Sequence, residues 1–552
     1  MSSRENPAGW EWTVAPGIPR QTLEPLLAAF PELRGIPGAK VLKENRFRTV
    51  VRIDPDALPG ASESAALRDG VIAKCYRYLK SWDRQRYRFL RSRAEQEWLA
   101  LLRFEAAGIP TGAPLAVASL RAGGLVEGGG LLVRCLPGAV PLSEKLADGP
   151  RAARLLADAG AVVRRMHDAG IRHRDLHAEN LLVCGPEERI HIIDLHSCLL
   201  RRRVSVRHRR LGLARLVQSL GHLVPADELR LLVASYGVDA LGGGGLPAAW
   251  ESIRRRAEAL ERTRLRSRSK RCFIASTSFA VVRRPGSRLY HARTHSPEEL
   301  ETLSREGPAA LLQVEAIERG WTGVAGTSSG PVRLKRRPYG FLERLGSLVA
   351  SHPLRRAYAA GHALRVRGIP TPRVIALREK RRLGVVVESD LFTEHREDSL
   401  SIEEHLALEH GGRERAAGER ARSKHRLAVL AGEVVRRLHD AGYFPPGLTP
   451  RALRVSWSPS SEGHVPRVEV SELDGARRRG SVPERARRRS LLQAASLPGG
   501  PVSATDLLRA FRAYAGPDGF RASREEARHL GRALLEERLR ALEDLLRTER
   551  GG

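Results

Sequence analysis

The sequence predicts an α+β fold arranged as two tandem copies of one domain, and three observations predict it. Residues 164–197, RRMHDAGIRHRDLHAENLLVCGPEERIHIIDLHS, run from a helix end through a polar loop into two short apolar strands. Upstream of them lie alternating strand patterns, a strand that ends on a lysine, and an amphipathic helix. After residue 271 the same order of features begins again.

Taken in order, residues 20–34 carry the spacing of a short amphipathic helix, and VLKENRFRTVVRID (41–54) alternates as a hairpin does. After a loop rich in Pro, Gly and Ser, Val71-Ile72-Ala73-Lys74 reads as a strand whose ammonium can reach the α- and β-phosphates of a nucleotide. The helix SRAEQEWLALLRFEAAG (92–108) buries the side marked by Trp98, Leu101, Leu102 and Ala106. Glu97 lies beside that side and is the expected partner of Lys74, with Glu95 as its rival. Glu127-Gly128-Gly129-Gly130 is expected in a hairpin turn and Gly242–Gly245 in a linker region, and neither has the context of a Walker loop. A glycine-rich phosphate loop would have to lie at KENRFR (43–48), which has no glycine. Leu131-Leu132-Val133 followed by Arg134-Cys135-Leu136-Pro137 fits a strand and a hinge offering backbone groups to adenine, and the helix containing 155–166 then leads into the loop.

That loop has the spacing of a phosphoryl-transfer site, H-R-D-L-x-x-x-N. A hydroxyl attacking a γ-phosphate needs a carboxylate to take its proton, which makes Asp175 the candidate base. Asn180 and Asp194 offer the oxygen ligands that Mg²⁺ requires. A protein kinase would continue from Asp194 with D-F-G and A-P-E, but here LHSCLLRRRVSVRHRR leads straight into a helix. Two residues after the base stands His177 instead of the lysine of serine/threonine kinases. Both departures point to a non-protein hydroxyl.

HDAGIRHRDLHAENLLV, HIIDLHS, SRAEQEWLALLRFEAAGIPTGAPLAV and the basic segment after Asp194 together resemble the lipopolysaccharide kinase family, over about residues 35–240. The resemblance implies a protein-kinase-like bilobal fold, a small β-rich lobe plus a larger helical lobe, using ATP and Mg²⁺. It implies a sugar hydroxyl of Kdo or heptose as acceptor, Asp175 as base, Lys74 with Glu97 as the ATP pair, and Asn180 and Asp194 as metal ligands.

A basic stretch, 254–271, is read as a linker between an active domain at 1–253 and a second domain at 272–552. In the second, Pro331-Val332-Arg333-Leu334-Lys335 repeats the lysine strand, GHALRVRGIPTPRVIAL (361–377) repeats the helix and strand, and RRLHDAGYFPPGLTPRALRV (436–455) aligns with the catalytic loop without a gap. His173, Arg174, Asp175 and Asn180 become Pro445, Pro446, Gly447 and Ala452, Ala357 stands for Glu97, and Glu472 is the nearest match to Asp194. Gly and Ala cannot supply carboxylate and amide oxygens to Mg²⁺, so this copy is expected to be a pseudokinase. The basic run 477–489 and helices over 504–549 parallel the segment after Asp194.

The net charge of +31 is nearly all arginine and favours anionic partners, a glycolipid or sugar substrate at an anionic membrane surface above all. Aromatics are only 5% of residues and no nucleic-acid-reading motif is present, so nucleic acid ranks lower. Five scattered cysteines argue against a disulfide framework and a zinc site. The absence of a signal pattern and of a bilayer-length apolar run predicts a cytoplasmic protein, peripheral on the inner face of the membrane. The rival readings are an aminoglycoside- or choline-type kinase, which shares H-x-D-L-H-x-x-N, and a catalytically silent membrane-surface scaffold.

Overall fold

The computed structural model describes residues 9–522 apart from 37, 59–63, 80, 147–151, 412–416, 446, 461–462, 475 and 496–502, together with 532 and 536. It divides into two compact units, Met1–Thr263 and Arg264–Gly552.

The first unit begins with a β-rich half. β1 (Trp10–Val14), α1 (Arg20–Ala28), β2 (Ala39–Asn45), β3 (Arg48–Ile53), β4 (Val71–Arg77), α2 (Ser81–Phe89), α3 (Arg93–Ala106), β5 (Pro114–Ala122) and β6 (Leu125–Arg134) follow one another, and the strands form one antiparallel sheet ordered β1-β5-β6-β4-β3-β2. The two-residue period of β4 divides the sheet's duties. Val71, Ala73 and Cys75 join the core built on Trp10, Trp12 and Phe30, while Ile72 and Lys74 face the cleft below. Gly128, Gly129 and Gly130 lie inside β6 and not in a turn, which corrects the sequence expectation. Their missing side chains make room for Trp10, Ala94 and the Trp12–Phe30 pair, where any Cβ would collide or press tightly.

The helical half follows: β7 (Val140–Pro141), α4 (Leu142–Leu146), α5 (Ala152–Asp168), β8 (Ile171–His173), β9 (Leu181–Cys184), β10 (Arg189–Ile192), β11 (Cys198–Leu200), α6 (Val206–Leu220), α7 (Ala226–Tyr236) and α8 (Gly245–Ser269). Two small sheets, β10-β9-β7 and β11-β8, hold the loop that sequence singled out. Gly242–Gly245 all have positive φ and turn the chain into α8. The basic stretch read as a linker is mostly the continuation of α8. Ala249, Trp250, Ile253 and Ala257 recur at helical spacing and are buried, and Glu251 pairs with Arg254 and Arg255 one turn on.

The second unit repeats this plan. Its seven-stranded sheet runs 279–284, 287–292, 374–382, 385–394, 332–338, 320–325, 312–317, so a hairpin stands where the first unit has β1. Backbone bonds recur at matching positions: Ile192 N–H donates to Pro110 at 3.0 Å and Val470 N–H to Pro370 at 3.1 Å, while Ile193 N–H donates to Asn180 at 3.0 Å and Ser471 N–H to Ala452 at 2.8 Å. Pro446 lies outside the described residues, as does nearly all of the predicted helical region beyond 522.

A buried histidine stands next to last in α5 and in the second unit's helix Ala417–Asp440. His167 Nδ1 shares a 3.0 Å hydrogen bond with the Tyr236 hydroxyl, and His439 Nδ1 shares one of the same length with Tyr514. Burial, followed by the charge of Arg209 for His167 and of Arg487 for His439, holds these imidazoles down to about 3 and about 4. A histidine with a depressed folded pKa binds fewer protons when folded, so the stability is complete above the unfolded value and is lost as pH falls below it. Lowering the pH to 5 should therefore destabilise each unit by about 2 kcal/mol. Denaturant unfolding at pH 7 and 5 checks this, and His167→Gln should remove that loss from the first unit's transition.

Candidate active site

Within the first unit a cavity of about 650 Å³ opens between the sheet and the helical half, inside the usual range of about 300–1,000 Å³ for small-molecule sites. Val50, Ile72, Val133 and Leu182 give it apolar walls, with Cys135 and Leu136 of the expected hinge among its lining. Lys43, Arg48, Lys74, Glu97, Asn180 and Asp194 are among its charged and polar groups.

Lys74 Nζ donates to Glu97 Oε1 at 2.6 Å, and the Tyr76 hydroxyl donates to Glu97 Oε2, also at 2.6 Å. The choice between Glu97 and Glu95 is made at the start of α3. Glu95 closes a capping box with Ser92, accepting from its N–H at 2.7 Å, whereas Glu97 sits two residues on and is fully buried. Tyr76, which no sequence signal had marked, completes the glutamate's hydrogen bonding.

The loop after β8 is pinned by a histidine. His173 Nδ1 accepts from the Asp175 backbone N–H at 3.1 Å, so its proton sits on Nε2, which donates to Ile193 O at 3.2 Å. Burial holds His173 below its ordinary value, which favours this neutral tautomer. Asn180 Nδ2 donates to Asp175 O at 2.8 Å, and this leaves the amide oxygen free to act as a ligand. The Asp175 carboxylate does not line the cavity itself. It is 63% exposed, with His177 Nε2 3.7 Å away, and the His177 side chain holds it below its usual value despite partial burial.

Asp194 follows β10 in a left-handed conformation, with φ 59°. Three cationic or polar groups converge on its Oδ1: Arg48 at 2.9 Å, His196 Nδ1 at 2.8 Å and Lys74 at 3.9 Å. Burial alone would raise this carboxyl, but the bond from His196 and the charges of Lys74, His196 and Arg48 outweigh it and hold it far below the carboxylate range. With Oδ1 so engaged, Oδ2 is the oxygen left for a cation. Arg48 and His196 were missed as site residues in the sequence. The KENRFR stretch had drawn notice only for lacking glycine, and the signal overlooked was its closing arginine at the start of a strand.

Two oxygen donors in one cleft, Asp194 Oδ2 and the Asn180 amide oxygen, are the chemistry that suits Mg²⁺. Removing Glu97 leaves Lys74 without its close partner in a largely buried place. Glu97→Ala should lower the unfolding free energy of the first unit by about 3–5 kcal/mol, and Glu97→Gln by less, as read from urea unfolding.

Residues 61–236 match the model of the Lipopolysaccharide kinase (Kdo/WaaP) family. The chain is 32% identical over 108 residues to the 3-deoxy-D-manno-octulosonic acid kinase of Vibrio cholerae serotype O1, covering 20% of this chain and 45% of that protein. It is 30% identical over 107 residues to the protein of the same name from Vibrio parahaemolyticus serotype O3:K6, covering 19% and 44%. The chain thus spans less than half the length of these curated relatives. Among solved structures, WaaP in complex with acyl carrier protein aligns at 22% identity and a TM-score of 0.33, over 45% of this chain and 99% of that one. The matched segment holds Lys74, Glu97, Asp175, Asn180 and Asp194, and through it the first unit is similar to the lipopolysaccharide kinase (Kdo/WaaP) family.

Proposed function

We propose that the first unit transfers the γ-phosphoryl group of ATP to a sugar hydroxyl of the lipopolysaccharide core, of Kdo or heptose type, and that the second unit is a copy without transfer activity. The observation that carries this is the meeting of the Lys74–Glu97 pair with Asn180 and Asp194 in one cleft, beside a loop that presents Asp175. When bound, ATP supplies the phosphoryl group and Mg²⁺ offsets its charge.

In this reading Glu97 orients Lys74 towards the phosphates, while Lys43 and Arg48 on the cleft's upper wall take the part of the absent glycine-rich loop. Asp194 and Asn180 hold the metal. His173 fixes the backbone of Asp175 relative to Ile193, next to Asp194, so base and metal ligand are set by one imidazole. Asp175, ionised and open to solvent, accepts the proton of the attacking hydroxyl as the new O–P bond forms and the bond from the γ-phosphorus to the bridging oxygen breaks, with ADP as the leaving group. The Kdo kinases among the relatives support a sugar acceptor.

A surface feature supports meeting that acceptor at an anionic membrane. On and beside α2, Trp82 is 73% and Phe89 84% exposed, Leu79 and Leu90 are also exposed, and Arg86, Arg88 and Arg91 stand among them with no ion pair to a described residue. Aromatic side chains interleaved with arginine suit the headgroup region of a bilayer. No described helix is long and apolar enough to cross a membrane.

Labelled ATP offered with core oligosaccharide, soluble amino-sugars and choline tests the acceptor. Transfer to the oligosaccharide is expected, and transfer confined to the soluble compounds would overturn the assignment. Asp175→Ala should lower turnover by about 10²–10⁴-fold with an unchanged melting temperature, and undiminished turnover would remove the base. Co-sedimentation with anionic vesicles should fall in a Trp82→Ser, Phe89→Ser variant.

A further inference from the structure

The second unit has its own cleft at the equivalent place, lined by Lys335, Ala357, Glu472 and Asp474. At about 210 Å³ it is far smaller than the first, and it lies below the usual range for small-molecule sites of about 300–1,000 Å³.

Strand register shows what has changed there. Lys335 pairs with Thr322 and Leu391 as Lys74 pairs with Val50 and Leu131, and Arg333 pairs with Thr393 as Ile72 pairs with Val133. Arg454 follows Ala452 at the interval at which Leu182 follows Asn180. Four apolar wall residues of the first cleft, Val50, Ile72, Val133 and Leu182, have thus become Thr322, Arg333, Thr393 and Arg454, all lining the second. By the same register Glu472 falls at the place of Asp194 and Asp474 at that of His196. It is Asp474, not Glu472, that forms an ion pair with Lys335.

The lining cations are not equally neutralised. Lys335 is held by Asp474, Arg396 by Asp398 and Arg451 by Glu403. Arg333 and Arg454 have no carboxylate within ion-pair distance among the described residues. Among the described residues Arg454 donates only to the hydroxyl and carbonyl of Ser399. Burial first, and then the charge of Arg333, push its guanidinium below the ordinary value, although Glu404, Glu469 and Glu472 pull the other way. The charge of Arg333 is felt by His395 as well, whose value falls through burial and then through that arginine. Glu315, Glu394, Glu469 and Glu472 line the same half-buried cavity but none is ion-paired with Arg333 or Arg454, and two guanidiniums without a direct carboxylate partner suit phosphate oxygens.

We propose that the second unit's cleft binds a small phosphate-bearing molecule, without a nucleobase, through Arg333 and Arg454. The site needs only the second unit's own geometry and stands whichever acceptor the first unit uses. The 552-residue chain is titrated calorimetrically with inorganic phosphate, a hexose phosphate and adenosine, alongside Arg333→Gln and an Arg333→Ile, Arg454→Leu variant that restores the first cleft's residues. Phosphate or hexose phosphate should bind, and each variant should weaken that binding by about 10–100-fold while keeping the parent's melting temperature. Binding of inorganic phosphate alone would identify the phosphate group as the ligand, and preference for the hexose phosphate would add the sugar, both in support. Phosphate binding unaltered in Arg333→Gln, or an adenosine equivalent lost with Arg454, would overturn it.

Discussion

The first unit's site depends on a buried ion pair reached from two separate elements, β4 and α3. Lys74 can stand in a largely buried place only because Glu97 meets its ammonium at 2.6 Å, and Glu97 can be fully buried only because Lys74 and Tyr76 both donate to it. This fixes the rotation of α3 against the sheet, since a helix turned by one position would present a different residue to the lysine. The capping box of Ser92 and Glu95 sets where that helix begins, and so which glutamate points inward.

The second constraint is charge balance around Asp194. A buried carboxylate without partners would be costly, and here Arg48, Lys74 and His196 all gather on one of its oxygens. Arg48 comes from the strand that follows the glycine-free hairpin, so the same segment that lacks a backbone cradle for phosphates contributes a guanidinium to the cleft. The left-handed conformation of Asp194 aims its carboxylate at these groups directly after a strand. His173 links this turn to the loop of Asp175, so the two acids are positioned through one side chain.

The second unit separates scaffold from chemistry. The hydrogen bonds that define the frame recur, as with Thr111 and Thr371, which donate to Ile192 and Val470 at the same 2.7 Å, and with His167 and His439 against their tyrosines. Much of what faces the cleft does not recur: the glutamate partner of the lysine is replaced by Ala357, and a carboxylate at the place of His196 takes the ammonium instead. Backbone bonds and core packing hold the fold without reference to what lines the cavity, so the cavity is free to change its charge.

The order of strands and helices, the spacing of Asp175, Asn180 and Asp194, the lysine at a strand end and the colinear repeat were all readable in the chain, because each is set by periodicity or by positions close together in sequence. The chain alone could not show that Gly128–Gly130 lie within a strand pressed against Trp10 and Phe30, or that the basic stretch after 253 largely continues a helix anchored by Trp250 and Ile253. Nor could it show that Arg48 reaches across 146 positions to Asp194, or that Lys335 meets Asp474 and not Glu472. Those outcomes depend on which surfaces pack together and where buried charges find partners. That is decided in three dimensions, because a buried charge pairs with whatever opposite charge the packed fold brings within reach, however far apart the two lie along the chain.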